Sequence, residues 1–356
     1  MIPNLIPNSI LLLFSALLGG TVGSFLNVCI YRIPIEGLRV SHPRGSFCPS
    51  CKSAVRWFDN VPVLAWMWLR GRCRDCSEPI SPRYPLVEGF TACMFLLVAW
   101  RYGGEWLAQD LFSVLLLWIW VSTLIVVSGI DLDHRIIPDR FTIPGTSMLL
   151  LISPWMPWLS LEAGGLGPIA DPWWASIEPH VWWAAAATMI VLGQAFQRLV
   201  PTWQQQRRSF QESLLAYVVG AVGGFLAAVY LGGADQLWNS PVDRIFNSLS
   251  GAAVGAGTIW GIGWIGSIIF RKPAMGFGDV KWMGLLGATL GPEAVLVSFL
   301  IACLLGSVVG IWWRVVRGSS YIPFGPFLAA GAASMLLARP ELQTIWELYV
   351  GLFQDR

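Results

Sequence analysis

Two acids and four thiols stand out in this chain as residues that could do chemistry. Asp279 lies in AMGFGDVKWMG (274–284), a run otherwise made of glycine, aromatic and aliphatic residues with a single lysine. Asp131 is the first acid of SGIDLDHRIIPDRFTIPG (128–145) and is met on leaving a long apolar run. An acid in or beside an apolar helix costs free energy unless it is paired, hydrated or used. Two carboxylates that meet in a low-dielectric site repel each other, so the pair holds one proton near neutrality. One can then take a proton from water while the other gives one to a peptide carbonyl oxygen, as in aspartic proteolysis. Gly276 and Gly278 keep side chains away from the flank of Asp279, which lets an extended substrate backbone approach and permits non-helical backbone there. Asp133 and Asp139, in the same stretch as Asp131, read as solvated turn residues.

The thiols are Cys48 and Cys51 in CPSC, and Cys73 and Cys76 in CRDC. Two Cys-x-x-Cys pairs at this separation read as a structural zinc site, each pair clamping the metal with its own tight turn. A redox dithiol is the alternative, and disulfides are not expected on a reducing side of a membrane. Cys29, Cys93 and Cys303 sit in apolar runs and are expected to pack as small hydrophobes.

The elements that must position these groups are membrane helices. Of 356 residues 55% are hydrophobic and 12% charged, with 21 tryptophans, against about 25% charged in a soluble domain. Apolar runs long enough to cross the bilayer appear near 8–30, 85–101, 111–130, 181–199, 213–232, 244–270, 293–313 and 321–337. Weaker candidates at 141–158 and 280–292 are interrupted by Pro144, Pro154 and Gly287. The expected fold is therefore an all-α polytopic membrane protein of about 8–10 transmembrane helices, with a small cytoplasmic four-cysteine zinc domain.

No Lys or Arg precedes Arg32, so the N-terminal apolar run reads as a retained span and not as a cleaved signal. Nine basic residues between Arg32 and Arg83 place that segment in the cytoplasm by the positive-inside rule. Alternating the spans from there brings Asp131 and Asp279 out on the same side. The expected division is a first helix (1–30), the zinc-binding domain (31–84), helices carrying Asp131 (85–158), an inserted segment with an extra hairpin (159–243), and helices carrying Asp279 (244–356). No internal repeat stands out. The net charge of +2 points to no nucleic-acid partner; the bilayer is the partner that composition implies.

The motifs together resemble the type IV prepilin peptidases, membrane-embedded aspartic proteases. GSFLNVCIYRIP (23–34), the paired Cys-x-x-Cys with RYPLVEGF (83–90), DLDHRIIPD, MGFGDVKWMGLLGATLG and IPFGPFLA (322–329) carry that likeness over nearly the whole chain. In that family the first catalytic aspartate stands seven residues before the proline of an Ile-Pro pair, which from Pro138 is Asp131, and the second is the aspartate of Gly-x-Gly-Asp, which is Asp279. The resemblance implies cleavage of the basic leader of prepilins and pseudopilins after a glycine, at the cytoplasmic face of the bacterial inner membrane. It also implies methylation of the new N-terminus with S-adenosylmethionine, through residues that the sequence does not single out. The chain departs from the family in the surplus residues around 160–240.

Two other readings compete. A presenilin-like intramembrane aspartyl protease shares Gly-x-Gly-Asp but not the cysteine domain or DLDHRIIPD. A transporter would carry its membrane acids near the bilayer midplane of broken helices, whereas these acids lie at helix ends beside Arg135 and Lys281.

Overall fold

The computed structural model describes residues 8–35, 37–41, 46–48, 50–103, 108–153, 156, 241–271, 275–317 and 322–338. The expected hairpin at 181–199 and 213–232, with its flanking loops, lies outside the described residues. Among the described residues the chain is helical with no strand, and it divides into two units, 1–135 and 136–356. Among the described residues, four helices are long and apolar enough to cross a membrane: Ser9–Arg32, Leu111–His134, Arg244–Phe270 and Pro292–Val316.

The first unit contains α1 (Asn8–Arg32), a 3-10 turn at Trp57–Asn60, the short α2 (Leu64–Trp68), α3 (Arg83–Tyr102) and α4 (Ala108–His134). Apolar side chains gain nothing by leaving lipid for one another, so membrane helices associate through close packing. Small residues provide it here: a Cβ on Gly19 would stand 2.8 Å from the Ala92 Cα, and one on Gly23 would stand 2.7 Å from the Glu88 Cα. α3 meets α4 through Trp118, whose indole N–H donates to the Phe95 carbonyl at 3.0 Å while the two rings stack at 5.0 Å.

The second unit contains α5 (Asp139–Ile152), α6 (Pro241–Phe270), α7 (Phe277–Leu290), α8 (Pro292–Arg317) and α9 (Gly325–Leu337). α7 is its centre, packed most extensively on α6 and also on α5, α8 and α9. Every residue from 280 to 290 is buried. The α6 contact is backbone on backbone, since a Cβ on Gly287 would stand 2.0 Å from the Gly251 carbonyl oxygen. The Ser248 hydroxyl donates to the Ala288 carbonyl at 2.7 Å in the same seam.

The two segments interrupted in sequence are helices of 14 residues each, α5 with Pro144 inside it and α7 with Gly287. At about 21 Å they are shorter than the roughly 30 Å of hydrocarbon. α7 stops because Gly291 adopts φ 84, a left-handed C-cap, and Pro292 opens α8.

Candidate active site and thiolate cluster

Asp131 lies in the last turn of α4 and is buried. That helix ends where Arg135 turns left-handed at φ 57, its N–H still donating to the Asp131 carbonyl at 2.9 Å. The end is braced from α3: Arg83 pairs with Asp133 and reaches the Gly129 carbonyl at 3.5 Å. Asp133 is therefore an ion-pair partner and not only a solvated turn acid. The arginine of RYPLVEGF escaped the sequence reading, because nothing in the spacing links position 83 to position 133.

Asp279 lies in the first turn of α7, with Gly276 as the extended N-cap residue at φ −76 and ψ 143. Its carboxylate folds back towards that cap, with Oδ2 3.3 Å from where a Gly276 Cβ would stand. A carboxylate in the first turn faces the outward N–H groups and the positive end of the helix dipole. Gly278 lies against the protein itself, since a Cβ there would stand 3.1 Å from the Ile137 Cβ. The glycine thus lets the turn before α5 close on the start of α7. Lys281, two residues after Asp279, is buried, pairs with Asp139 at the start of α5, and lies 5.1 Å from the centre of the Phe277 ring. Asp139 is thereby engaged as well, where the sequence suggested only a turn.

Cys48, Cys51, Cys73 and Cys76 converge, with their sulfurs all within 4.8 Å of one another. Two turns built alike bring them there. Cys48 N–H donates to the Ser53 carbonyl at 2.9 Å and Lys52 N–H to the Cys48 carbonyl at 2.9 Å; Cys73 N–H donates to Glu78 at 2.8 Å and Ser77 N–H to Cys73 at 2.9 Å. Each turn is closed by an isolated bridge, Phe47 with Ala54 and Arg72 with Pro79. Lys52 and Ser77 take φ 61 and φ 60 at equivalent places. The backbone therefore repeats where no repeat is visible in the side chains.

The cluster fits a tetrahedral metal. Zinc–sulfur bonds of about 2.3 Å put the sulfurs of a tetrahedron about 3.8 Å apart, and Cys48 Sγ and Cys76 Sγ are 3.8 Å apart. Cys51 and Cys76 are shifted in opposite directions. Cys51 is lowered to about 6 by its hydrogen bonds with Ser53. Cys76 is pushed up to about 12, the pull of the Glu78 amide being outweighed by desolvation and the neighbouring thiols. Beside the cluster Arg74 forks onto Asp59 at 2.7 and 2.5 Å, which holds the Asp59 carboxyl below its usual range.

A cavity of about 460 Å³ opens between this region and the ends of α1 and α3, lined among others by Asn27, Arg32, Asp59, Trp66 and Tyr84. Arg32 is buried and donates to the Val40 carbonyl at 3.0 Å.

Fold and site define a polytopic helical membrane protein with an acid at each of two helix ends and a metal-competent thiol cluster. Residues 17–102 match the bacterial peptidase A24 N-terminal domain, and residues 118–311 match the type IV leader peptidase family. The chain belongs to the type IV leader peptidase family. It is 29% identical to a prepilin leader peptidase/N-methyltransferase of Aeromonas hydrophila, over 92% of this chain and 90% of that one. It is 29% identical to one of Pseudomonas putida, over 88% and 86%. It is 30% identical to a type 4 prepilin-like proteins leader peptide-processing enzyme of Escherichia coli, over 90% and 92%. No solved structure matches the chain.

Proposed function

We propose that the chain cleaves the basic leader of type IV prepilins or pseudopilins after a glycine, at the cytoplasmic face of the inner membrane, with Asp131 and Asp279 as its catalytic pair. The observation that carries the reading is the family match over residues 118–311, which takes in both acids. One carboxylate, ionised, takes a proton from water as the water oxygen attacks the scissile carbonyl carbon. The other, protonated, gives its proton to the carbonyl oxygen. Collapse of the tetrahedral adduct returns a proton to the departing amine and breaks the C–N bond. Gly276 leaves the start of α7 narrow enough for an extended substrate strand to pass, whereas Gly278 is taken up by its contact with Ile137.

The relatives in Aeromonas hydrophila and Pseudomonas putida are N-methyltransferases by name as well, which supports a second reaction, N-methylation of the freed amine. S-adenosylmethionine would supply the methyl group. The cavity beside the thiol cluster is within the 300–1,000 Å³ of ordinary ligand sites. Arg32 and Asn27 would hold the donor's amino-acid end and Trp66 and Tyr84 its base. Zinc on Cys48, Cys51, Cys73 and Cys76 would order this region.

The test is incubation of the purified protein with a prepilin and S-adenosylmethionine, read by product mass. Leader loss followed by a gain of one methyl is expected. Asp131→Asn and Asp279→Asn should each lower cleavage by about 10²–10⁴-fold with the fold retained, while Asp133→Asn and Asp139→Asn should be milder. Substantial turnover by either Asp131→Asn or Asp279→Asn overturns the pairing.

A further inference from the structure

The connection between α1 and α3 descends beside the helices it joins. Asn27 of α1 donates through its amide to the Tyr84 carbonyl of α3 at 3.2 Å, which marks one level on both helices. Arg32 and Arg83 lie on the polar side of that level, where basic residues flank a span. Below it the helices run on into their apolar stretches, Gly23 against Glu88 and Gly19 against Ala92. The connection follows them. Pro62 Cβ is 3.4 Å from where Gly20 would carry a Cβ, and Val63 Cγ2 is 3.8 Å from the same point on Gly89. Counted along the helices from Asn27 to Gly20 and from Tyr84 to Gly89, at 1.5 Å per residue, these contacts lie about 10 and 8 Å below the level.

Backbone at that depth must find its hydrogen bonds inside the protein, and it does. Val63 N–H donates to the Glu88 carboxylate at 2.7 Å, Ala65 N–H to the Val61 carbonyl at 3.0 Å, and Met67 N–H to the Val63 carbonyl at 3.2 Å. This also accounts for Glu88, an acid inside α3 that would otherwise be expensive there. Apart from Asn60, the outward face is apolar: Trp57 is 83% exposed, Leu64 54%, Met67 62% and Trp68 49%. On α3, Leu86 and Phe90, which flank Gly89 in sequence, are exposed as well.

We propose that residues 57–69 are a re-entrant wedge whose outward side chains lie in the bilayer just beneath the headgroups, so that the bilayer is the partner of this face. The depth matches the 5–10 Å at which interfacial helices bury their apolar faces. The exposed apolar side chains that flank Gly89 on α3 select lipid as the occupant. Glu88 is the tether that holds the wedge down.

The test uses the full chain in phospholipid vesicles, with a fluorescent amino acid placed at position 67 or, as a reference on the second cysteine turn, at position 75. Lipids carrying a nitroxide near the top of the acyl chain should quench position 67 at least twofold more than position 75, and aqueous iodide should do the reverse. Equal iodide quenching at both positions overturns the wedge. Quenching of position 67 by neither agent also overturns it, since a protein partner or second copy would then cover the face. Glu88→Ala, checked for retained zinc, should move position 67 towards iodide; an unchanged pattern in zinc-loaded Glu88→Ala removes Glu88 from the tethering role.

Discussion

α7 and the cysteine region are held in opposite ways. α7 is enclosed on every side, and its backbone rests on α6 with no room for one methyl group at Gly251 or Gly287. Between Arg32 and Arg83 few side chains are buried, Cys48 and Ala65 among them, and order comes from two tight turns and four sulfurs. A segment with this little core needs a staple. A segment that is all core needs only that nothing be added. The first therefore fails when a ligand is removed, the second when an atom is introduced.

Gly287→Leu should have the largest effect and abolish folding of the second unit, because the atom it meets is backbone and cannot move aside. Gly19→Ala should be intermediate. Gly261→Ala, where a Cβ meets nothing within 4 Å, should be near neutral. Thermal unfolding in detergent gives the ranking, and an equal loss at Gly261 and Gly287 would break the comparison. In the cysteine region Cys73→Ser or chelation should take zinc from about one per chain to near zero. Residues 31–84 should then be cut faster by protease while the helices stay intact. Elemental analysis finding no zinc in protein purified without chelator would remove the staple from the account.

The ion pairs sharpen the contrast at lower energy. Lys281 is 7% exposed against 50% for its partner Asp139, whereas Arg83 and Asp133 are 40% and 33% exposed. Asp139→Ala removes the ion-pair partner of a buried ammonium and should cost about 1–3 kcal/mol. Arg83→Met should cost under about 1 kcal/mol. Denaturation that ranks them the other way would mean that the brace on α4 matters more than the one on α7. Smallest of all, Ser77→Gly should stabilise the cysteine region by up to about 1 kcal/mol, since φ 60 suits glycine. Protection against proteolysis in residues 31–84 would register it.

Sequence legibility follows the same contrast. The thiol cluster could be read because metal chemistry imposes a spacing, and the long helices because lipid imposes a length. α5 and α7 read as weak spans because Pro144 and Gly287 look like interruptions. Pro144 lies inside α5 without ending it, and Gly287 is there because Gly251 presses on it. The chain leaves α4 at Arg135, and Pro138 is the N-cap residue that opens α5. The partners Arg83 and Asp139 could not be read, since an ion pair between distant positions leaves no periodic trace. The two cysteine turns could be read from the paired Cys-x-x-Cys, but not that they share the same backbone hydrogen bonds and positive φ.

The position of the cysteine turns along the chain gives them a mechanical role. They flank residues 57–69, with Cys51 before and Cys73 after. A filled cluster pins the two ends of that segment together and turns part of one long connection between α1 and α3 into a short closed loop. Opening the cluster lengthens the tether, and the entropy released grows only as the logarithm of loop length. A metal held there would act as a buckle on a strap: closing it would shorten the slack by a fixed amount, however far the segment beyond it reaches.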